Sequence, residues 1–185
     1  MTQATVLQND AASNVESLRA QLPGYARDTR LNLGIVLTDD GAPDLSRAQI
    51  LGVALASAYA TRQADVIRAV AAEAAEVLSE AETEAAKAAA AVMAMNNVYY
   101  RFMHEVEDAE LQKLPPKLRM NIIGTHGIAK ADFELYCLAV SAINGCGACM
   151  TAHAREVEKA GLSKLGVQSA VRIASVINAT AQGLV

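Results

Sequence analysis

The sequence predicts an all-α protein, a single helical domain built from two related halves. Three observations predict it. Alanine dominates an apolar fraction of 52%, while the 185 residues include only two Phe and no Trp. Alanine has the highest helix propensity, and small side chains let helix axes approach closely. The 11 Gly and four Pro cluster between periodic stretches, which is the punctuation of a helical chain. A shift of 84 positions lays Leu55-Ala-Ser-Ala58 near Ala139-Val-Ser-Ala142 and brings Arg62 to Cys146, Asp65 to Cys149 and Ala69 to His153. This faint repeat divides the chain into halves at about 14–113 and 114–185, of which only the second carries reactive side chains. One sizeable core is the expectation for this length.

Residues 1–13 are polar and aperiodic and read as a flexible leader. Asn14 to about Leu22 reads as a short helix capped by Ser13, and Pro23-Gly24 breaks it. Tyr25–Leu37 is a second helix, apolar at Leu31, Leu33, Val36 and Leu37, followed by a loop at 38–43. Ser46 caps a strong helix with Ile50, Val53, Ala54, Ser57 and Ala58 on one stripe. The chain pauses at 60–62, and a further helix runs from Asp65 to about Leu78. Ser79 or Glu80 begins the next, which covers Glu82 to about Tyr100. In it Met93 and Met95 read as core, and Asn96 and Asn97 as structural hydrogen-bonding groups, since buried Asn needs partners.

Leu114-Pro115-Pro116 separates the halves. Leu118–Ile123 reads as a short helix ended by Gly124, and His104 and the loop residue His126 as solvent-facing side chains. Asp132 caps a buried helix that carries Glu134 and Cys137, the latter a packing thiol. Asn144-Gly145 interrupts that run; the next helix continues to Ala160, where Gly161 stops it. Ser163 caps a last helix to about Gln182. Its small-residue face (Val167, Val171, Ala174, Ser175, Asn178) suits close helix packing or a subunit contact.

The densest group of reactive side chains lies between Glu134 and His153. Cys146 and Cys149 form a C-x-x-C, His153 follows four residues later, and Glu134 precedes the pair by twelve. On a helix starting at about Gly145 or Cys146, the two cysteines and His153 stand at i, i+3 and i+7, within roughly 60° of each other. The first turn of a helix offers unpaired N–H groups and the positive end of its dipole. Both favour a thiolate over the ordinary cysteine pKa of about 8.5. If the two helices fold back on each other, Glu134 can approach His153 or the thiols, the general form of an activated nucleophile. A structural zinc site is the weaker reading. Only His153, Glu134 and Cys137 could add ligands, and no second C-x-x-C exists. Two inert buried cysteines are the other alternative.

These residues resemble a known family. Glu-x11-Cys-x2-Cys-x3-His, led by Ser-Ala-Ile-Asn-Gly-Cys, is similar to the alkyl hydroperoxide reductase D proteins of the carboxymuconolactone decarboxylase-like superfamily. The similarity extends to Leu-Pro-x-Tyr-Ala at 22–26, Leu-Asn-Leu at 31–33, Met-Asn-Asn-Val-Tyr-Tyr-Arg at 95–101 and Leu-Arg-Met-Asn-Ile-Ile at 118–123, and so covers roughly 18–182. The resemblance implies that Cys149 is the nucleophile that becomes a sulfenic acid. It implies that Cys146 is the resolving cysteine and proton donor that closes a Cys146–Cys149 disulfide. His153 and Glu134 are then the proton relay, and His153 at i+4 from Cys149 agrees with that choice of nucleophile. The resemblance further implies a homotrimer, no bound cofactor or metal, an external lipoyl dithiol carried by a dihydrolipoamide-bearing protein, and a peroxiredoxin partner. One departure is Ala148, where well-known members carry a histidine.

Composition excludes other classes. The net charge of −4 and the lack of a basic patch argue against nucleic acid. The N-terminal stretch has no basic region followed by an apolar run, and no run approaches 18 apolar residues, so neither a signal peptide nor a membrane span is expected. Three cysteines, an odd number, predict the reducing cytoplasm, where a disulfide is transient and catalytic. Two rival functions remain: a decarboxylase of the wider superfamily, and a non-enzymatic redox-sensing module.

Overall fold

Helices make up every regular element of the computed structural model, which describes residues 14–185. The expected leader and the Ser13 cap lie outside the described residues. Helix α1 (Val15–Gln21) begins at Asn14, whose side chain accepts from the Ser17 N–H and is itself the cap. A 3₁₀ turn (Gly24–Ala26) then leads into α2 (Arg27–Val36), so the single helix expected from Tyr25 starts with a tighter turn after Pro23.

The core is laid around two central helices, α3 (Arg47–Thr61) and α8 (Lys130–Ile143). Nine consecutive residues of α3, Ile50–Ala58, are buried, as are nine of α8, Phe133–Ser141. Such helices are surrounded by neighbours rather than amphipathic. They pack on each other, and each is followed across a tight turn by a partner: α4 (Ala64–Ala74) after α3, and α9 (Gly147–Lys159) after α8. The long helices α5 (Glu80–Val106) and α10 (Lys164–Gly183) each lie across both central helices. Short α6 (Ala109–Gln112) and α7 (Ile122–Thr125) belong to the connection between α5 and α8.

The two turns at the ends of the central helices correspond. Arg62 is left-handed (φ 61°) with Gln63 capping α4, and Gly145 is left-handed (φ 71°) with Cys146 capping α9. Both pairs are 83 residues apart, so the register at the turn is 83 rather than the 84 of the sequence alignment. The serines Ser79 and Ser163, which cap α5 and α10, are 84 apart. Counted from the turn, Glu134, Cys149 and His153 fall opposite Leu51, Val66 and Val70, all fully buried hydrophobic residues.

Several boundaries differ from expectation. Helix α4 stops at Ala74, and α5 runs on to Val106, beyond the predicted Tyr100. Residues 118–121 are not helical; α7 starts at Ile122 and includes Gly124. Asp132 does not cap α8, which begins after Ala129; its carboxylate accepts from Gln49 Nε2 at 2.8 Å on α3 instead. On α10 the face turned to the core carries Ile173, Ala174 and Ile177, while Ser175 and Asn178 of the predicted small-residue face are exposed. Among the described residues no helix is long and apolar enough to cross a membrane.

Candidate active site

Gly145 makes the site possible. Its positive φ, costly for any residue with a Cβ, lets α9 fold back antiparallel along α8. The Cys146 N–H bonds the Ser141 carbonyl at 3.1 Å and closes the hairpin at its turn. At the open end Lys130 Nζ donates to Glu156 Oε2 at 2.7 Å. Between these two ties, Glu134 and His153 come opposite each other, with Glu134 Oε2 2.6 Å from His153 Nδ1. The Glu134 side chain is only 8% exposed, so water competes little for this hydrogen bond.

Cys146 and Cys149 are joined by a disulfide with a Cα–Cα distance of 5.3 Å. Cys146 is the cap of α9, which starts at Gly147, just after the expected Gly145 or Cys146, and its Sγ accepts from the Cys149 N–H at 3.3 Å. Cys146 is sealed, whereas Cys149 is 7% exposed and lines a cavity of about 300 Å³ together with His153, Ala148 and Ala152. The opposite wall comes from α5, through Met93, Asn96 and Tyr100, and from Met120 and Ile123. The sulfur within reach of a ligand is therefore that of Cys149.

All four residues singled out by the sequence meet here. Others were not legible as site residues. Met93, taken as core, places Sδ 3.3 Å from His153 Nε2, the ring nitrogen turned away from Glu134. Asn97 fits the structural reading: its Nδ2 donates to Ser141 Oγ at 2.9 Å and its Oδ1 accepts from Asn144 Nδ2 at 3.0 Å. Asn96 does not; its amide oxygen is buried with no hydrogen-bond partner in the protein. Ala148, noted in sequence as a departure, is a wall of the cavity.

The remaining candidates lie apart. Cys137 is fully buried, and burial, reinforced by the charge of Glu134, pushes its thiol far up, as suits a packing residue. His126 is not solvent-facing; its ring stacks on Phe133 at 4.2 Å and its Nδ1 accepts from the Ile128 N–H. His104 is exposed near the end of α5. Among the described residues no group of three His, Cys, Asp or Glu side chains could hold a metal ion.

An all-helical domain with a C-x-x-C at the head of the second helix of the α8–α9 hairpin defines a class, and sequence comparison agrees with it. Residues 109–183 match the carboxymuconolactone decarboxylase family. Proteins named alkyl hydroperoxide reductase AhpD from Coxiella burnetii (strain RSA 493 / Nine Mile phase I) and Rhodospirillum centenum are each 54% identical over 168 residues. Those matches cover 91% of this chain and 95% and 89% of the relatives. The AhpD of Azorhizobium caulinodans is 47% identical over 171 residues, covering 92% and 93%. The chain belongs to the AhpD family of the carboxymuconolactone decarboxylase superfamily.

Proposed function

We propose that the protein is an antioxidant dithiol enzyme that reduces organic hydroperoxides and recycles a partner peroxiredoxin through the Cys146/Cys149 pair. The observation that carries this is the asymmetry of the pair: Cys149 lines the cavity beside a histidine bonded to a buried carboxylate, and Cys146 is sealed behind it. The names of the relatives, alkyl hydroperoxide reductases, support the same chemistry.

In the reduced protein, His153 takes the Cys149 proton, with Glu134 orienting the imidazole and balancing its charge. The thiolate sulfur bonds the terminal oxygen of the hydroperoxide, the O–O bond breaks, and its electron pair leaves on the alkoxide, which is protonated to the alcohol. The Cys146 sulfur then attacks the Cys149 sulfenic acid, releasing water and giving the disulfide. No bound cofactor takes part. An external lipoyl dithiol, carried by a dihydrolipoamide-bearing protein, returns both thiols by exchange. The peroxiredoxin would be served by the same exchange in the other direction. The reading places the protein in the cytoplasm as a homotrimer, for which sedimentation should give three times the 19.4 kDa chain mass.

Peroxide consumption with dihydrolipoamide as sole reductant tests the reading. Turnover is expected for the wild type and none for Cys149→Ser, while Cys146→Ser leaves a sulfenic acid that dimedone traps on Cys149. A trapped acid on Cys146 in the converse variant would reverse the roles. No disulfide at all, with a lactone carboxylate turned over by the double serine variant, would install the decarboxylase reading instead.

A further inference from the structure

We propose that Asn96 is a substrate-binding residue of the cavity, its side-chain amide donating a hydrogen bond to the peroxide oxygen that departs as the alkoxide. The inference rests on the peroxidase reading above and deepens it. Neighbouring asparagines of α5 make the case by contrast. Asn97 has its amide engaged at both ends, by Ser141 and Asn144. Asn96 is just as buried, at 4% exposed, yet its oxygen has no partner in the protein. An unsatisfied buried polar group is destabilising, and an apolar residue on this alanine-rich helix would avoid that cost.

Its position says what the amide is for. Met93, Asn96 and Tyr100 stand at i, i+3 and i+7, one face of α5, and that face looks across the cavity at Cys149 and His153. Because the amide oxygen is sealed, the NH₂ is the group that can reach the cavity. Most of the remaining wall, including Met120, Ile123 and Ala148, is apolar and suits the organic part of a hydroperoxide. The peroxide end would lose hydrogen bonds on entering such a space unless the protein supplied them. When the Cys149 sulfur takes the terminal oxygen, negative charge collects on the oxygen left behind. A donor fixed beside it is stronger in the transition state than in the ground state, which is the condition for it to accelerate the step.

The test compares wild type, Asn96→Leu and Asn96→Ser in the full-length reduced protein. The rate constant for sulfenic acid formation with cumene hydroperoxide is followed by stopped flow. Asn96→Leu, close in shape but without a donor, should lose about tenfold to a hundredfold, the span expected for a hydrogen bond to a charged group. Asn96→Ser, which keeps a hydroxyl donor, should retain more. With peracetic acid, whose departing group is the weakly basic acetate, the leaving oxygen needs less stabilisation and the loss in Asn96→Leu should shrink. The melting temperature of Asn96→Leu should be unchanged or higher, since an unpartnered amide has been removed. A wild-type rate in Asn96→Leu would overturn the inference, as would an equal loss with both oxidants together with a lower melting temperature, which would make Asn96 structural. A wild-type protein inert to hydroperoxide would overturn the peroxidase reading itself and is told apart before any variant is compared.

Discussion

At the scale of single residues, the bond between His153 and Glu134 has most to answer for. A 2.6 Å contact to a buried carboxylate is charge-assisted, and such bonds are worth roughly 1.5–3 kcal/mol. Glu134→Gln keeps an oxygen for Nδ1 to bond but removes the charge. It should therefore leave the fold intact and slow sulfenic acid formation by about tenfold or more, read by stopped flow at neutral pH. An unchanged rate would mean that the histidine works without its carboxylate. Of the site's residues, the sequence displayed those whose chemistry and spacing are local: Cys146, Cys149 and His153 share one helix, and Glu134 is twelve positions away. Met93 and Asn96 were read as a core residue and a structural group rather than as site residues, because they come from α5, more than fifty residues upstream of Cys149, and helical spacing marks a core side chain and a cavity side chain alike. Asn96 and Asn97 received one common reading, and only partners 44 and 47 positions from Asn97 separate them.

At the scale of elements, the α8–α9 hairpin is tied at its open end by charge. Glu156 bonds both Lys130 and Lys159 at 2.7 Å, and these two lysines hold its carboxyl down to about 2, against 4.5 for a free glutamate. The folded-state value is depressed, so whatever stability the cluster adds is present above about pH 4.5 and lost as the pH falls toward 2. Glu156 is at the surface, so the contribution is small and screened by salt. Carboxyl titration by NMR should show Glu156 titrating below its neighbours, and Lys130→Ala or 1 M salt should move it upward. A midpoint near 4.5 in the wild type would deny the tie. Serine caps at Ser46, Ser79 and Ser163 were legible because a cap bonds a residue three positions ahead. Asp132 was misread for the opposite reason: its partner Gln49 is 83 residues away, and nothing local distinguishes an aspartate that caps from one that bridges helices.

At the scale of the molecule, α8, which carries Glu134, lies close against α3, and one glycine permits that approach. A Cβ at Gly52 would run into the phenol ring of Tyr136, which is buried at the centre of the helix pair and whose hydroxyl burial pushes toward the neutral form. The sequence showed two alanine-rich buried helices and so the fold class, but not which small residue the other helix leans on. Overpacking of this kind costs about 1–3 kcal/mol, and each kcal/mol lowers the melting temperature of a chain this size by roughly 2–4 °C. Gly52→Ala should therefore melt several degrees lower, while a Gly52→Ala/Tyr136→Leu pair, which clears the ring, should lose less than the two single variants added together. The same substitution should also reach the site, since the methyl group must displace the Tyr136 ring and disturb the packing of α8, which carries Glu134. Disulfide reduction by dihydrolipoamide should slow in Gly52→Ala and recover in the pair. Additive melting temperatures would show that Gly52 and Tyr136 are not what holds the two helices in register.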